Sequence, residues 1–277
     1  MSNRSFHFLP ANKQDLLKKV GKFTFKPHAL IFDIEDSVPG ESKAQARNIL
    51  ESLFTQIPLD DVYVRINEPG SLFLPQDILL VNRYPTLGIV IPKVEDKAEL
   101  WKLLEAISLE NTNRNIIFLV ESFRGLKDLP NILSRVNVYG VGLGLEDMLC
   151  NMSRPNSKLK ILSEHIRLEL ALVAKAYGCL AIDTISNEFY DLKIIEKECE
   201  NAQRLGFDAK LSIHPNQVNI INKVLSIDDL SLEWAKSIIE LSGGNEQFGY
   251  SKINNMLITP PKIRKAKRII YERKHYD

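Results

Sequence analysis

Short apolar segments alternate with longer amphipathic segments about eight times along the chain, and this alternation restricts the possible folds more than any other feature. In most of the apolar segments, apolar and polar residues do not alternate with a period of two. Strands that are buried on both faces of a sheet lack this alternation as well. The predicted strands are Phe6–Leu9, Ala29–Phe32, Val62–Ile66, Gly88–Ile91, Ile116–Val120, Tyr139–Gly142, Leu180–Ile182 and Lys210–Ile213. The amphipathic segments predict helices over Asp15–Val20, Ser42–Leu53, Glu95–Ser108, Ser163–Ala176 and Leu192–Leu205.

The repeated order of strand and helix, without a Gly/Ser-rich linker, predicts one closed α/β barrel rather than two domains. The length of 277 residues suits such a barrel. We therefore predict a single (β/α)8 TIM barrel over 1–230. The remaining segment, 231–277, holds two helical stretches separated by Gly243–Asn245 and by Pro260 and Pro261. It predicts a C-terminal helical extension that packs on the barrel or on a neighbouring subunit.

The composition argues against several classes of partner. The 36 basic residues nearly balance the 35 acidic ones, which gives no support to a nucleic-acid-binding surface. No apolar run approaches the length of a membrane span, and none near the start suits a signal peptide. The three cysteines are odd in number and lack C-x-x-C spacing, which favours a reducing compartment. We expect a cytoplasmic protein whose partners are small molecules.

Polar side chains follow nearly every predicted strand. They are Asp33, Glu35 and Asp36 at the second, Arg65 and Asn67 at the third, Lys93 at the fourth, Glu121 at the fifth, Glu146 and Asp147 at the sixth, Asp183 at the seventh and His214 at the eighth. The carboxyl ends of the strands of such a barrel converge on one mouth, where active sites are built. Burying so many charged groups without partners is costly, so the set predicts a functional site.

The residue types at this mouth narrow the chemistry. Glu121 and Asp147 follow neighbouring strands with no His or Cys close by, which suits Mg²⁺, or Mn²⁺ as the alternative. Glu35 and Asp36 are predicted to order metal-bound water, in a catalytic role. Arg65 offers a planar fork to a substrate carboxylate. Together these residues predict a metal site for a 2-oxo acid or its enolate, stabilising negative charge as a neighbouring C–C bond breaks or forms.

Lys93 leaves two alternatives open. It could form a Schiff base in a metal-free aldolase, or it could be a structural ion-pair partner. We favour the metal over the Schiff base, because a Schiff-base mechanism would leave the carboxylates without a purpose.

Several motifs resemble those of the HpcH/HpaI aldolase/citrate lyase family, most closely the citrate lyase β subunit and its stand-alone relatives. The motifs run in order from the first strand to the eighth. They are Arg4–Pro10, Phe32–Val38 with Lys43 and Arg47, Val64–Asn67, Ile91–Glu95, Val120–Ser122, Gly125 with Leu126, Gly144–Met148, Ala181–Thr184 and Leu205–Gln217.

The resemblance implies a carbon–carbon lyase on a TIM barrel that assembles as a homotrimer or hexamer. It implies that Glu121 and Asp147 hold Mg²⁺ and that Arg65 and Glu121 contact the substrate. The relatives cleave or form 3-hydroxy acyl-CoA thioesters, and cleavage releases a 2-oxo acid and an acetyl thioester.

Three positions depart from the family pattern, and the first is Ala11, where the relatives usually carry Gly after the proline of the first strand. Phe123 replaces a small residue after the metal-binding glutamate, and Ile258 stands in Asn254–Pro261 where the relatives carry an acid/base Asp. Isoleucine cannot transfer a proton, and losing such a group costs about 10²–10⁴-fold in rate. Three hypotheses follow: a Mg²⁺-dependent lyase for an acyl-CoA thioester or free acid, a CoA-independent metal aldolase, and a non-lyase accessory protein that binds a 2-oxo acid.

Overall fold

The computed structural model describes residues 4–107, 114–243, 245, 250–253 and 256–276. Eight parallel strands close into a barrel in which each strand pairs with the next and the eighth pairs with the first. The strands are β1 Ser5–Pro10, β2 Ala29–Asp33, β3 Val62–Arg65, β4 Gly88–Ile91, β5 Ile116–Val120, β6 Gly140–Leu143, β7 Leu180–Asp183 and β8 Ala209–Ser212. Each overlaps a predicted strand, and the predicted (β/α)8 barrel is confirmed.

Helices cover the outside of the barrel and extend the chain beyond it. They are α1 Gln14–Leu17, α2 Lys43–Phe54, α3 Leu74–Asn82, α4 Ala98–Ala106, α5 Phe123–Leu133, α6 Leu145–Leu149, α7 Lys160–Ala176, α8 Leu192–Leu205, α9 Pro215–Leu225, α10 Asp229–Ser242 and α11 Pro260–Tyr276. Within the described ranges, no helix is both long enough and apolar enough to cross a bilayer.

Two helix predictions need correction. The helix predicted over Glu95–Ser108 begins only at Ala98, because the segment before it forms a loop, and Ser108 itself lies outside the described residues. Pro260 and Pro261 were predicted to separate two helices, but they form the first turn of α11. Proline suits that turn because its missing N–H would have no partner inside the helix.

The strands are buried on both faces, which explains why their sequences lack a period of two. In β5, Ile117 and Leu119 pack inside the barrel, whereas Ile116, Phe118 and Val120 pack in the larger core outside it. Covering both faces with apolar side chains produces a continuous apolar run.

The alternation of side chains along each strand decides which polar residues reach the mouth. Three residues that pack inside the barrel are each followed, two positions later, by a charged residue on the same face. The pairs are Ile31 and Asp33, Tyr63 and Arg65, and Leu119 and Glu121. The inner face therefore ends in two carboxylates and a guanidinium, directly above the apolar interior.

The C-terminal helices α10 and α11 have a small core of their own. Its buried residues are Ala235, Ile238, Ile258, Ile263 and Ala266. Near the end of α11, Glu272 accepts a hydrogen bond of 3.1 Å from the buried side chain of Arg4, which directly precedes β1. This helix is thus tied to the N-terminal end of the barrel, opposite the mouth. We propose that 231–277 is a unit added to the barrel, although α10 already begins at Asp229.

Ile258 should tolerate a charge far less well than its neighbour does. Ile258 is fully buried in the small core, whereas Leu257 is 50% exposed on the same short strand, Met256–Ile258. We expect Ile258→Asp to lower the free energy of unfolding by about 3 to 5 kcal/mol, because the carboxylate loses water and finds an apolar core. Leu257→Asp should change it by no more than about 0.5 kcal/mol. Equal losses in denaturant unfolding would contradict the placement of Ile258.

Candidate active site

The mouth of the barrel holds two spaces that share lining residues. A small pocket of about 80 Å³ is lined by Phe8, Arg65 and Gly144 among others, and a cleft of about 570 Å³ opens beside Lys93. Glu121 and Asp147 line both, so these two carboxylates stand at the boundary between pocket and cleft.

Arg65 is held rigidly above the barrel interior. Its Nε and one terminal nitrogen donate hydrogen bonds of 2.7 Å to the two oxygens of Asp33. Its other terminal nitrogen lies 3.4 Å from Oε2 of Glu35 and 4.0 Å from Oε1 of Glu121. The guanidinium carbon lies 5.0 Å from the centre of the Phe8 ring. Burial alone would lower the pKa of Arg65, but the bonds to Asp33 and the nearby carboxylates raise it.

Asp33 orients Arg65, a role that the sequence prediction did not assign to it. The buried Asp33 carboxylate also accepts hydrogen bonds from the backbone N–H groups of Glu35 at 2.9 Å and Ser37 at 3.0 Å. Burial would raise the pKa of Asp33, but its bonds with Arg65 hold it below its usual value. The alternation that places Asp33 two residues after the inward-facing Ile31 could have revealed this pairing.

Glu121 carries the clearest sign of a missing partner. Its Oε2 atom is buried and finds no hydrogen-bond partner among the described residues. Burial raises the pKa of Glu121 to about 8, against the opposing charge of Arg65. Burial, followed by the charge of Asp36, also raises the pKa of Asp147. A cation at this boundary would lower the cost of ionising both carboxylates.

The donor set fits Mg²⁺. Glu121 and Asp147 supply hard oxygen ligands, and an orphaned buried oxygen belongs to one of them. The described ranges contain no group of three or more His, Cys, Asp or Glu arranged to hold a metal. Mg²⁺ commonly takes one or two carboxylates and completes its shell with water and substrate oxygens, which the pair of Glu121 and Asp147 would allow.

Gly144 makes room for the Glu121 side chain. A Cβ atom at position 144 would lie 2.5 Å from Cγ of Glu121, closer than two non-bonded carbon atoms approach each other. Gly144 directly follows β6 and precedes α6, the short helix that carries Asp147. The absence of a side chain there lets the two carboxylates share one site.

Glu35 and Asp36 occupy different environments. Glu35 is 4% exposed and lies between Arg65 and Lys93, whereas Asp36 is exposed at the rim. Burial raises the pKa of Glu35 to about 6, against the charge of Arg65. Their predicted role in ordering metal-bound water stays a prediction.

The surroundings of Lys93 oppose Schiff-base chemistry. Its ammonium donates a 2.7 Å hydrogen bond to Oε1 of Glu35 and lies 3.3 Å from Glu68. Burial would lower the pKa of Lys93, but the bond and charge of Glu35 raise it above its usual value. A Schiff-base lysine must instead lose its proton to act as a nucleophile, so the geometry favours the ion-pair alternative.

A buried polar network behind the mouth was not predicted. The ammonium of Lys43 donates to the carbonyls of Ile34 and Glu35 and to Oδ1 of Asn67, at 2.8, 3.0 and 2.6 Å. Asp77 in turn accepts hydrogen bonds from Asn67. These contacts fix the loop that carries Glu35. Only the contacts themselves reveal the network, because its members are far apart in sequence.

The expected convergence on the mouth is wrong for Asp183, which ends β7. Asp183 follows the inward-facing Ile182 and therefore faces outward, where it binds Arg167 and Lys210. His214 caps α9, accepting a hydrogen bond from the backbone N–H of Asn216. Both residues stabilise the surroundings of the barrel.

Comparison with known proteins gives consistent results. A model of the HpcH/HpaI aldolase/citrate lyase family matches residues 4–215. A citrate lyase subunit beta-like protein of Mycobacterium tuberculosis is 25% identical, over 95% of this chain and 93% of its own length. The human mitochondrial citramalyl-CoA lyase is 24% identical, over 96% of this chain and 84% of its own length. The structure of the M. tuberculosis citrate lyase beta subunit complexed with oxaloacetate and magnesium matches with a TM-score of 0.68 and 26% identity, over 81% of this chain and 97% of that one.

Proposed function

We propose, because this chain belongs to the HpcH/HpaI aldolase/citrate lyase family, that it is a Mg²⁺-dependent carbon–carbon lyase that cleaves or forms a 3-hydroxy acid. The 2-oxo acid released or consumed would lie in the small pocket. The buried, unpartnered Oε2 of Glu121 beside Asp147 and Arg65 carries the proposal. The magnesium and oxaloacetate bound by the M. tuberculosis relative support it.

Glu121 and Asp147 would hold the metal. When bound, Mg²⁺ supplies the positive charge that polarises a carbonyl oxygen and offsets negative charge developing beside it. Glu121 must be ionised to act as a ligand, so the cation at this site also removes the cost of its buried charge.

Arg65 would bind the carboxylate of the 2-oxo acid. Asp33 occupies the edge formed by Nε and one terminal nitrogen, so the other terminal nitrogen is the group aimed toward Glu121 and the small pocket. Because Asp33 fixes the guanidinium before the substrate arrives, little orientation is lost on binding. Phe8 lies below the guanidinium and excludes water on that side.

The sizes of the pocket and the cleft suggest which part of the substrate each of them binds. The small pocket faces Arg65, whereas the cleft is several times larger and faces Lys93 and Ser122. We place the 2-oxo acid portion in the pocket and the other product of cleavage in the cleft. The bond that breaks would then cross the boundary at Glu121 and Asp147.

Ile258 favours a second candidate, a metal aldolase that does not use CoA. Ile258 is buried in the core of the C-terminal helices, so it gives that segment no proton-transferring group. An aldolase that joins pyruvate to an aldehyde would not need to remove a proton from an acetyl thioester. Competing assays with the two substrate classes separate these candidates.

The assembly state stays a prediction. We propose a homotrimer or hexamer, which light scattering would test, and Mn²⁺ as a substitute for Mg²⁺ in the same site. The partners we propose are the acid substrate and, in the first candidate, its CoA thioester.

The experiment that tests the function pairs turnover with binding. Citryl-, malyl- and citramalyl-CoA would be assayed for release of a 2-oxo acid, and pyruvate with aldehydes for condensation, each with Mg²⁺ and with a chelator. Calorimetry with oxaloacetate, pyruvate or glyoxylate plus Mg²⁺ measures binding separately. We expect Mg²⁺-dependent binding and turnover of at least one class. Binding without any turnover would overturn the lyase in favour of an accessory protein.

A further inference from the structure

The backbone of Lys93 is held in a conformation that residues with side chains rarely adopt. Its φ is 51°, in the left-handed region. The contacts of the next residue, Val94, fix it there. The N–H of Val94 donates a hydrogen bond of 3.2 Å to the carbonyl of Leu119. The carbonyl oxygen of Val94 packs so closely against Gly125 that a Cβ atom on Gly125 would lie only 2.3 Å from it. Such a conformation persists only where its surroundings impose it, often at functional sites.

This backbone brings the Lys93 ammonium to three different loops of the mouth. It lies 2.7 Å from Oε1 of Glu35 and 3.6 Å from Asp36, on the loop after β2. It also lies 3.3 Å from Glu68, on the loop after β3, while Lys93 itself belongs to the loop after β4. One cation therefore gathers three consecutive loops beside the cleft.

Glu35 connects this cation to the substrate-binding side. Its Oε1 binds Lys93, and its Oε2 lies 3.4 Å from Arg65 and accepts a hydrogen bond of 3.0 Å from the N–H of Asp36. Glu35 is nearly buried, whereas Lys93 is 37% exposed. Without Lys93, one oxygen of the buried Glu35 carboxylate would lose its partner. Glu35, which borders the second terminal nitrogen of Arg65, would then lose its fixed position.

We propose that Lys93 is a positioning residue of the lyase reaction. It holds Glu35 beside the second terminal nitrogen of Arg65, in the arrangement that the reaction requires. This inference rests on the proposed function. It assigns Lys93 no covalent bond and no proton transfer to the substrate.

Three variants separate the side chain from the backbone. Lys93→Met removes the ammonium, Lys93→Arg keeps a cation, and Lys93→Gly removes the side chain while suiting the left-handed backbone, so that it folds without strain. The matched control is Lys127→Met, which breaks an ion pair of the same 2.7 Å length, with Glu169, on the exposed face of α5.

We expect a selective loss in kcat. Lys93→Met and Lys93→Gly should lower kcat about 10²-fold, as misplacement of a reacting group does, with KM for the acid changed by less than about threefold. Lys93→Arg should recover at least about tenfold of that loss, and Lys127→Met should stay within about twofold of the parent. Calorimetry with pyruvate and Mg²⁺ should show that binding is retained in every variant.

Other results would overturn the inference. If Lys93→Met raised KM and left kcat unchanged, Lys93 would bind substrate directly. If the Lys93 variants matched Lys127→Met, the ion pair would be structural only. Either result would leave the lyase function standing, because the parent still turns over. A parent chain that neither binds pyruvate with Mg²⁺ nor turns over would overturn both the function and this inference.

Discussion

Glu121→Ala should abolish Mg²⁺-dependent turnover and leave the barrel folded. The change removes a ligand from the boundary between pocket and cleft, so we expect kcat/KM to fall on the order of 10³-fold or more. The fold should survive because the lost carboxylate carries an oxygen with no partner among the described residues. Calorimetry should show loss of Mg²⁺ binding, with a circular dichroism spectrum like that of the parent. Retained Mg²⁺-dependent turnover would contradict the assignment of Glu121.

A second measurement on the same site uses the pH dependence of stability. The folded chain without metal raises the pKa of Glu121 to about 8, whereas an unfolded Glu has a value near 4.3. The contribution of this group to stability is therefore complete below about pH 4.3 and is lost as the pH rises toward 8. Glu121→Gln cannot ionise, so its advantage in free energy of unfolding over the parent should grow across this range and shrink when Mg²⁺ is added to the parent. A constant difference would contradict the raised pKa.

Arg65→Met should cost both stability and activity. The guanidinium is the partner of two buried carboxylates, Asp33 and Glu35, and removing one member of a buried ion pair costs about 3 to 5 kcal/mol. Binding of pyruvate should fall as well, because the substrate carboxylate loses its cation. Denaturant unfolding and calorimetry measure the two effects separately.

Two further variants make the Arg65 prediction specific. Arg83→Met removes an exposed guanidinium paired with Glu51 and should change the free energy of unfolding by less than about 1 kcal/mol. Adding Asp33→Asn to Arg65→Met should recover part of the stability, because it removes an unpaired buried charge, but it should recover no pyruvate binding. An Arg65→Met chain as stable as Arg83→Met would contradict the buried network.

The barrel could be predicted from sequence because its signals are local and repeated. Each strand is a short apolar run, and the regular alternation with helices leaves few other folds. The first and last residues of a helix are harder to predict where backbone geometry determines them. The left-handed Lys93 starts a loop that delays α4 to Ala98, and residue type alone does not reveal that conformation.

The candidate site could be predicted only in outline. The strand ends identified Glu121, Asp147 and Arg65, but position at a strand end does not show which face a side chain takes. Asp183 and Asp33 both end strands, yet one faces the helices and the other the mouth. The partners of Arg65 and Lys93 depend on distances across three loops, which sequence spacing does not contain.

The glycine at position 144 determines how a mutational screen of this protein would behave. Gly144→Ala changes no charge and removes no ligand, yet its methyl group would collide with the side chain of Glu121. In a library of variants scored by activity, substitutions at position 144 would therefore lower activity as much as substitutions of the charged residues of the site, although Gly144 contributes no reacting group. Only a paired measurement of metal affinity and folding would show that its intolerance comes from lack of space.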